Sequence, residues 1–282
     1  MSITTMESST IQAIPENQRH GNARDLFTIW FGSNIMLLTM FTGSLAVTVF
    51  NLSFFYALMA LVLGNLVGAL FVALHSAQGP QLAVPQMIQT RGQFGFYGAL
   101  LVVGVVVIMY LGFYASNLVV GGEALHTIYQ PISKVQGITI IAIGSLIAVI
   151  FGYKLIHKYT QILAVLSGLM LLAAFIRVFS SQYFPQDFFQ LGTFSSIGFM
   201  GTLSIAALWQ LAYAPYVSDY SRYLPKATGA KTAFWASYWG CSLGSLISMI
   251  LGLTVARAYS GDFIQGLIHL TGSGLFSTAL II

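Results

Sequence analysis

The sequence predicts an all-α protein that crosses a membrane several times, and three observations support this. Charged residues make up only 6% of the 282 residues and hydrophobic residues 57%, whereas a soluble domain carries about 25% charged residues. The mean hydropathy is +0.82. Apolar segments of about 20 residues, the length that crosses a hydrocarbon core of about 30 Å, recur along the chain. A polytopic protein of the lipid bilayer is therefore expected.

The composition also argues against several other classes of protein. The net charge of +4 comes from loop lysines and arginines, and no basic patch with interleaved aromatic residues indicates a nucleic-acid partner. The single cysteine, Cys241, excludes a disulfide framework and a thiol cluster for metal. The sequence has no HExxH, GxSxG or Cys-His pairing and no clustered carboxylates, so neither an enzyme nor an organic cofactor is expected.

The apolar pattern divides the chain into a tail and one transmembrane domain. Residues 1–24 are polar and predict a disordered cytoplasmic tail. Because the sequence has no apolar core before Leu26, it does not predict a cleavable signal peptide. Residues 25–282 form the transmembrane domain. An eighth apolar run begins near Leu275 and continues to Ile282, so we expect the domain to be incomplete at its C-terminus. The seven complete predicted spans lie near residues 26–50, 53–74, 95–121, 136–153, 160–180, 195–217 and 232–256.

The distribution of basic residues predicts the orientation. Eight of the eleven lysines and arginines fall in the N-terminal tail and the loops on its side of the membrane, and three fall in the opposite loops. Because cytoplasmic loops carry the excess of Lys and Arg, the N-terminus is predicted to be cytoplasmic. The protein is accordingly expected in the cell membrane.

Two of the predicted spans contain interruptions. In the first span Gly32-Ser33-Asn34 and Thr42-Gly43-Ser44 interrupt the apolar run, and in the sixth span the interruption runs from Gln210 to Pro215. The two spans cross the membrane in opposite directions. Broken helices at matching positions of two inverted halves indicate the midplane site of a secondary transporter. A substrate and ion site is therefore predicted where the two breaks meet.

Trp209 and Gln210 are the strongest candidate substrate ligands. An unsatisfied polar group in lipid costs several kcal/mol, so an indole beside an amide in an apolar span suggests a cavity that holds a flat polar molecule. The alternative is a core tryptophan and a glutamine that joins helices by hydrogen bonds. The position of the pair next to a break favours the ligand interpretation.

Further candidates lie on the third and first spans. Tyr110, Phe113 and Asn117 share one helix face, which is either a packing stripe or, because the lone Asn117 amide needs a partner, part of the site. Ser33 lies at the first break. There the alternatives are a kink with hydroxyl back-bonding and a functional break whose freed carbonyls bind a cation.

Residues 61–98 and 208–225 resemble the nucleobase–cation symporter family 1, the purine/cytosine permease group. The resemblance implies a leucine-transporter-like inverted-repeat fold, of which the chain holds the N-terminal part. It implies that the substrate ring stacks on Phe113 and contacts an aromatic residue at or beside Trp209. In sodium-coupled members, carbonyls of the unwound first helix bind the cation, and the resemblance places these carbonyls at about Gly32 and Met36 here. No metal site beyond this possible sodium site is expected.

Together these observations predict a secondary active transporter that imports a cytosine- or purine-type nucleobase, coupled to sodium or proton entry by alternating access. Phe113 and Trp209 would sandwich the planar ring, and Gln210 or Asn117 would read its edge, with Ser33 nearby. A carrier of allantoin, a hydantoin or a vitamin precursor is the alternative, as is a membrane sensor that does not transport. The expected partners are the small molecule and the bilayer, with no obligate protein partner.

Overall fold

The computed structural model describes residues 11–150, 168–169, 171–180, 184–259 and 262–271, and these residues form helices and connecting segments without a strand. Two of the predicted spans are broken into separate helices. The helices are α1 Ala23–Ser33, α2 Leu37–Thr48, α3 Phe54–Ser76, α4 Gly79–Leu82, α5 Gln86–Ile128, α6 Lys134–Ile150, α7 Leu171–Ser180, α8 Ser196–Leu211, α9 Val217–Ser221, α10 Ala230–Ala258 and α11 Phe263–Thr271.

The first predicted span consists of α1 and α2, which meet at an angle of 58°. The break spans residues 34–36 and so begins within the predicted Gly32-Ser33-Asn34 interruption, which is confirmed. The second predicted interruption, Thr42-Gly43-Ser44, is wrong because all three residues lie inside α2. The Thr42 hydroxyl donates to the Leu38 carbonyl at 2.8 Å, so it does not need a break to find a partner. Gly43 instead permits close packing, since a Cβ there would lie 2.1 Å from the Met249 carbonyl oxygen.

The sixth predicted span is also broken, into α8 and α9 with turns between them. The predicted interruption at residues 210–215 is confirmed, although Gln210 itself still belongs to α8. The chain after α9 returns to the beginning of α1, where the His20 N–H donates to the Tyr223 carbonyl at 2.7 Å. The two broken spans therefore run in opposite directions, as the inverted-repeat prediction requires.

Glycines on α10 bring both halves of the first span close to its backbone. A Cβ on Gly240 or Gly244 would lie 2.7 and 2.4 Å, respectively, from carbonyl oxygens of α1. A Cβ on Gly252 would lie 1.7 Å from the Met40 carbonyl oxygen of α2. Small residues at a spacing of four let membrane helices approach closely and gain dispersion energy. The same device joins α3 to α8, where a Cβ on Gly64 would lie 2.3 Å from a carbonyl oxygen.

The predicted spans correspond to the observed helices only in part. Among the described residues, three helical stretches are long and apolar enough to cross a membrane, or four if the bent α1–α2 pair is one span. They match the predicted first, second, third and seventh spans. α6 and α8 are shorter apolar helices within the fourth and sixth. The predicted fifth span and the eighth apolar run lie partly or wholly outside the described residues, so the number of seven spans stays a prediction.

The segment formed by the end of α3, the short helix α4 and the beginning of α5, residues 76–89, lies against α9. The Gln86 N–H donates to an Asp219 carboxylate oxygen at 2.6 Å, and the Gln89 amide donates to the Ser218 hydroxyl at 2.9 Å. The Ser221 hydroxyl donates to the carbonyl of Ser76 at 2.7 Å. This segment therefore connects the end of the broken sixth span to the rest of the bundle.

Part of the N-terminal tail also docks onto the same segment. Ile14 is buried and its N–H donates to the Ala83 carbonyl at 3.1 Å. The Arg19 guanidinium donates to the Pro80 carbonyl at 2.8 Å and pairs with Glu16 at 3.0 Å. The expectation that residues 1–24 are disordered is therefore wrong for this stretch, because its apolar and charged side chains find partners in the bundle.

Candidate functional site

A cavity of about 500 Å³ lies between α2, α5 and α8, beside the break in the sixth span. This volume is in the range of about 300–1,000 Å³ that small-molecule sites occupy. Its walls are mainly apolar, and the hydroxyl-bearing residues Thr42 and Ser116 also face it. Such a cavity suits a small, mostly apolar molecule with a few polar edges. The aromatic and large apolar lining residues include Phe41, Leu45, Met109, Phe113, Leu208 and Trp209.

Phe113 and Trp209 face each other at this cavity, from α5 and α8 respectively. Their ring centroids are 5.8 Å apart and the rings are inclined by 76°, an edge-to-face contact. Trp209 is 6% exposed. The structure thus brings together the two aromatic residues predicted for the substrate ring, although in direct contact rather than spaced as two parallel plates.

The Trp209 indole is held by the break in the first span. Its N–H donates to the side-chain oxygen of Asn34 at 2.9 Å, and the Asn34 amide nitrogen donates to the Trp30 carbonyl at 2.8 Å. Asn34 is completely buried. The sequence marked Asn34 only as part of an interruption, although an amide at a break is a signal for a side-chain partner. One residue therefore links the two broken spans at the cavity.

Gln210 points away from the cavity into a separate polar cluster. Its amide nitrogen donates to the Asn65 side-chain oxygen at 2.8 Å, the Ser245 hydroxyl at 2.5 Å and the Cys241 carbonyl at 3.2 Å. These contacts join α8 to α3 and α10, which corresponds to the alternative of a glutamine that joins helices. The substrate-reading role of Gln210 stays a prediction, and a ligand in this cavity would not meet its amide directly.

Asn117 and Ser33 also lie off the cavity wall. The Asn117 amide is exposed and donates to the Phe113 carbonyl one turn earlier at 2.9 Å. Its neighbour Ser116 faces the cavity instead. The Ser33 hydroxyl donates to the Ile29 carbonyl at 2.7 Å, the back-bonding geometry of the alternative interpretation. Both assignments as substrate ligands stay predictions.

Gly32 and Met36 flank the first break, as predicted for carbonyl ligands of a cation. The Gly32 carbonyl accepts the Ile35 N–H at 3.0 Å, and the Met36 carbonyl accepts the Thr39 N–H at 3.1 Å. Met36 is extended, with φ −146° and ψ 159°, and precedes α2. The Met36 carbonyl also accepts the Met40 N–H at 3.3 Å, so a cation at this oxygen would compete with the first hydrogen bonds of α2. Their role as cation ligands stays a prediction.

A column of aromatic rings continues from Trp209 toward the beginning of α1. Tyr213, Tyr216 and Tyr220 follow one another at centroid distances of 5.9 and 6.5 Å. Trp30 of α1 contacts all three, at 5.6, 6.0 and 5.1 Å. This column was not predicted from the sequence, although tyrosines three and four residues apart after the break were a signal for it. These rings fill the space between the cavity and the N-terminal side of the bundle.

The family described as permease for cytosine/purines, uracil, thiamine and allantoin matches residues 13–269. YxlA of Bacillus subtilis, which carries a purine-cytosine permease name, is 43% identical over 88% of this chain and 53% of its own length. The purine-cytosine permease FCY2 of Saccharomyces cerevisiae is 24% identical over 91% of this chain and 49% of its own. The chain thus spans about half the length of the curated relatives it matches. These relatives are permeases, not enzymes.

A solved structure has the same fold. Mhp1, a nucleobase-cation-symport-1 family transporter in a closed conformation with bromovinylhydantoin bound, superposes with a TM-score of 0.75 at 12% identity. The match covers 99% of this chain and 64% of Mhp1. The helical bundle with its two broken spans is therefore the fold of that transporter. With the match over residues 13–269, the chain belongs to the cytosine/purine permease family, the nucleobase–cation symporter family 1.

Proposed function

We propose that the protein is a secondary active transporter that imports a cytosine- or purine-type nucleobase together with sodium or a proton. The observation that carries the proposal is the Phe113–Trp209 pair at a cavity of about 500 Å³ beside the break in the sixth span. Broken helices provide a transporter's midplane site, and aromatic faces suit a planar base. The names of YxlA and FCY2 support the same class of substrate.

In this proposal the base enters between Phe113 and Trp209, which separate from their edge-to-face contact. Stacking a base on an aromatic side chain is worth about 1–3 kcal/mol by alanine substitution. Thr42 and Ser116 line the cavity. Their hydroxyls donate to the Leu38 and Gly112 carbonyls of their own helices, and each oxygen can still accept a hydrogen bond from the edge of the base. Affinity would come from the rings and selectivity from these polar groups.

Coupling to the ion would pass through Asn34. It lies between Gly32 and Met36, the proposed cation ligands, and accepts the Trp209 N–H at 2.9 Å. A cation held by the carbonyls of this break fixes the backbone that carries Asn34, and so orients the indole for the base. Sodium fits this arrangement directly, whereas a proton needs a titratable group.

The aromatic column would separate the base from the cytoplasm in this conformation. With the N-terminus cytoplasmic, the rings from Tyr213 to Tyr220 lie on the cytoplasmic side of the cavity, packed on Trp30. Import then requires these rings to part while the opposite side closes, which is alternating access.

Equilibrium binding of cytosine, adenine, hypoxanthine, uracil and allantoin to the purified protein tests the proposal. Trp209→Ala should raise the dissociation constant of the best ligand about 5- to 150-fold, the equivalent of about 1–3 kcal/mol. Trp209→Phe should keep much of the affinity because it keeps a π face. Trp239→Ala, at a 43% exposed indole on α10, is the control and should bind normally. Unchanged binding by Trp209→Ala would place the site elsewhere.

The binding panel also separates the rival substrates. A vitamin B6 transporter of Saccharomyces cerevisiae, TPN1, is 29% identical over 89% of this chain, so pyridoxine belongs in the panel beside allantoin. Preference for either over every nucleobase would replace the nucleobase by a related heterocycle. Uptake into proteoliposomes then distinguishes a carrier from a sensor, and Gly32→Val should change the ion dependence of that uptake if the first break holds the cation.

A further inference from the structure

We propose that the groove where α1 and α10 begin binds an anionic phospholipid of the membrane leaflet on that side. The groove has a volume of about 660 Å³ and opens to the outside of the bundle. Ala23, Phe27 and Trp235 form its apolar wall, and Arg24 and Lys231 provide its positive charge. The site is separate from the substrate cavity and does not depend on the transported molecule.

Both basic side chains are available to an external anion. Arg24 and Lys231 are exposed, and neither forms an ion pair within the described part of the chain. The acidic neighbour Asp25 is engaged at the start of α1, where its carboxylate accepts the Asn22 N–H at 2.9 Å. A negative phosphodiester would therefore meet two positive charges that are not engaged in ion pairs within the described residues, one from each helix.

The beginning of α10 adds to the positive potential. Gly229 precedes the helix and no side chain caps its first turn. The first-turn N–H groups and the positive end of the helix dipole favour an anion there. Lys231 lies in this same turn, so its ammonium group and the backbone amides act on one headgroup.

The apolar side of the groove fits acyl chains rather than a soluble anion. Trp235 and Trp239 are 45% and 43% exposed and stack with centroids 6.3 Å apart, inclined by 18°. Tryptophans are enriched at the membrane–water interface, and basic pockets between membrane helices bind anionic headgroups. An apolar wall next to a charged rim is the arrangement that a phospholipid requires, with its phosphate at Arg24 and Lys231 and its chains along the indoles.

A lipid in this groove would join α1 to α10 at their ends. The expected consequence is a more stable contact between these two helices in membranes rich in anionic lipid. We expect phosphatidylglycerol to raise the midpoint temperature of unfolding above that in phosphatidylcholine, through binding to the folded state only.

The test is binding of phosphatidylglycerol to the purified protein by native mass spectrometry, with phosphatidylcholine as reference lipid. Each basic residue near an anionic surface contributes about fivefold to affinity, so the Arg24→Gln/Lys231→Gln variant should bind phosphatidylglycerol about 30-fold more weakly. The control is Arg91→Gln/Lys226→Gln, which removes two exposed basic residues outside the groove. The control variant should bind like the unmodified protein. Equal losses in both variants, or no loss in either, would overturn the proposal.

A second measurement uses the unmodified protein and does not depend on the variants folding. Phosphatidylglycerol with a photoreactive acyl chain should label peptides that contain Phe27 and Trp235, and excess unlabelled phosphatidylglycerol should suppress this labelling more than phosphatidylcholine does. Labelling spread evenly over the outer faces of the helices would show general contact with lipid and contradict a site. Suppression by soluble glycerol phosphate as effective as that by the lipid would also contradict it.

Discussion

We expect Asn34→Ala to destabilise the protein by removing the acceptor of the Trp209 indole. The hydrogen bond is 2.9 Å long, Asn34 is fully buried and Trp209 is 6% exposed. A buried donor left without a partner costs about 1–3 kcal/mol. The substitution also removes the bond from Asn34 to the Trp30 carbonyl, so the single variant measures two losses together.

A double-mutant cycle isolates the bond between the two side chains. Trp209→Phe removes the indole N–H, so Asn34→Ala should cost less in that background than in the unmodified protein. Interhelical hydrogen bonds in membranes average about 0.6 kcal/mol in such cycles and reach about 1.7 kcal/mol. Because both groups are buried, we expect a coupling free energy of about 1–1.7 kcal/mol.

The assay measures the free energy of unfolding of the purified protein in mixed micelles by titration with sodium dodecyl sulfate. The control cycle pairs Trp209→Phe with Ser33→Ala, since the Ser33 hydroxyl bonds to the Ile29 carbonyl and not to the indole. The effects of the two control substitutions on the free energy of unfolding should be additive to within about 0.5 kcal/mol. A coupling free energy below about 0.3 kcal/mol for Asn34 and Trp209 would refute the link between the two breaks.

Three further predictions concern packing, charge and topology. Gly252→Ala should lower the free energy of unfolding, measured by the same titration with sodium dodecyl sulfate, by about 1–3 kcal/mol, because its Cβ would lie 1.7 Å from a carbonyl oxygen of α2. Gly104→Ala is the control and should not destabilise the protein, because a Cβ there has nothing within 4 Å. A hydrogen bond from Arg257 of α10 lowers the pKa of Asp187, so the small stabilisation from this pair is present at neutral pH and is lost as the pH falls through the lowered pKa. The unfolding temperatures of the unmodified protein and Asp187→Asn should therefore converge in acid, and a difference that stays constant with pH would contradict this. A cysteine introduced beside Lys226 in a Cys241→Ser background should resist an impermeant thiol reagent in intact cells, and ready labelling would reverse the predicted orientation.

The two breaks could be predicted because composition marks them. Small polar residues in the first span and a proline after Trp209 interrupt apolar runs, and both positions proved to be near the ends of helices. The same composition at Thr42-Gly43-Ser44 led to the prediction of a break that the structure does not have there. A glycine in a membrane helix either breaks it or admits a neighbouring backbone, and only the partner helix decides which. Met249 of α10 supplies that partner for Gly43.

The polar partners of Gln210 could not be predicted because they come from distant parts of the chain. Gln210 meets Asn65, which is 145 residues away, and Ser245, which is 35 residues away. A lone amide in an apolar helix indicates that it has a hydrogen-bond partner, but not which residue that partner is. One residue along a helix turns the side chain by about 100°, so Ser116 lines the cavity while its neighbour Asn117 does not. The role of Asn117 as a substrate ligand stays a prediction.

The packing of α10 determines how the first span can move. Gly240 and Gly244 hold α1 and Gly252 holds α2 at backbone contact, so one straight helix supports both sides of the 58° bend. Flexing at the bend would open at least one of these contacts and forfeit its dispersion energy. The bend is thus a fixed angle rather than a hinge. Asn34 and the carbonyls beside it are therefore held in place relative to α10, and in the proposed transport cycle α1, α2 and α10 would move together as one body.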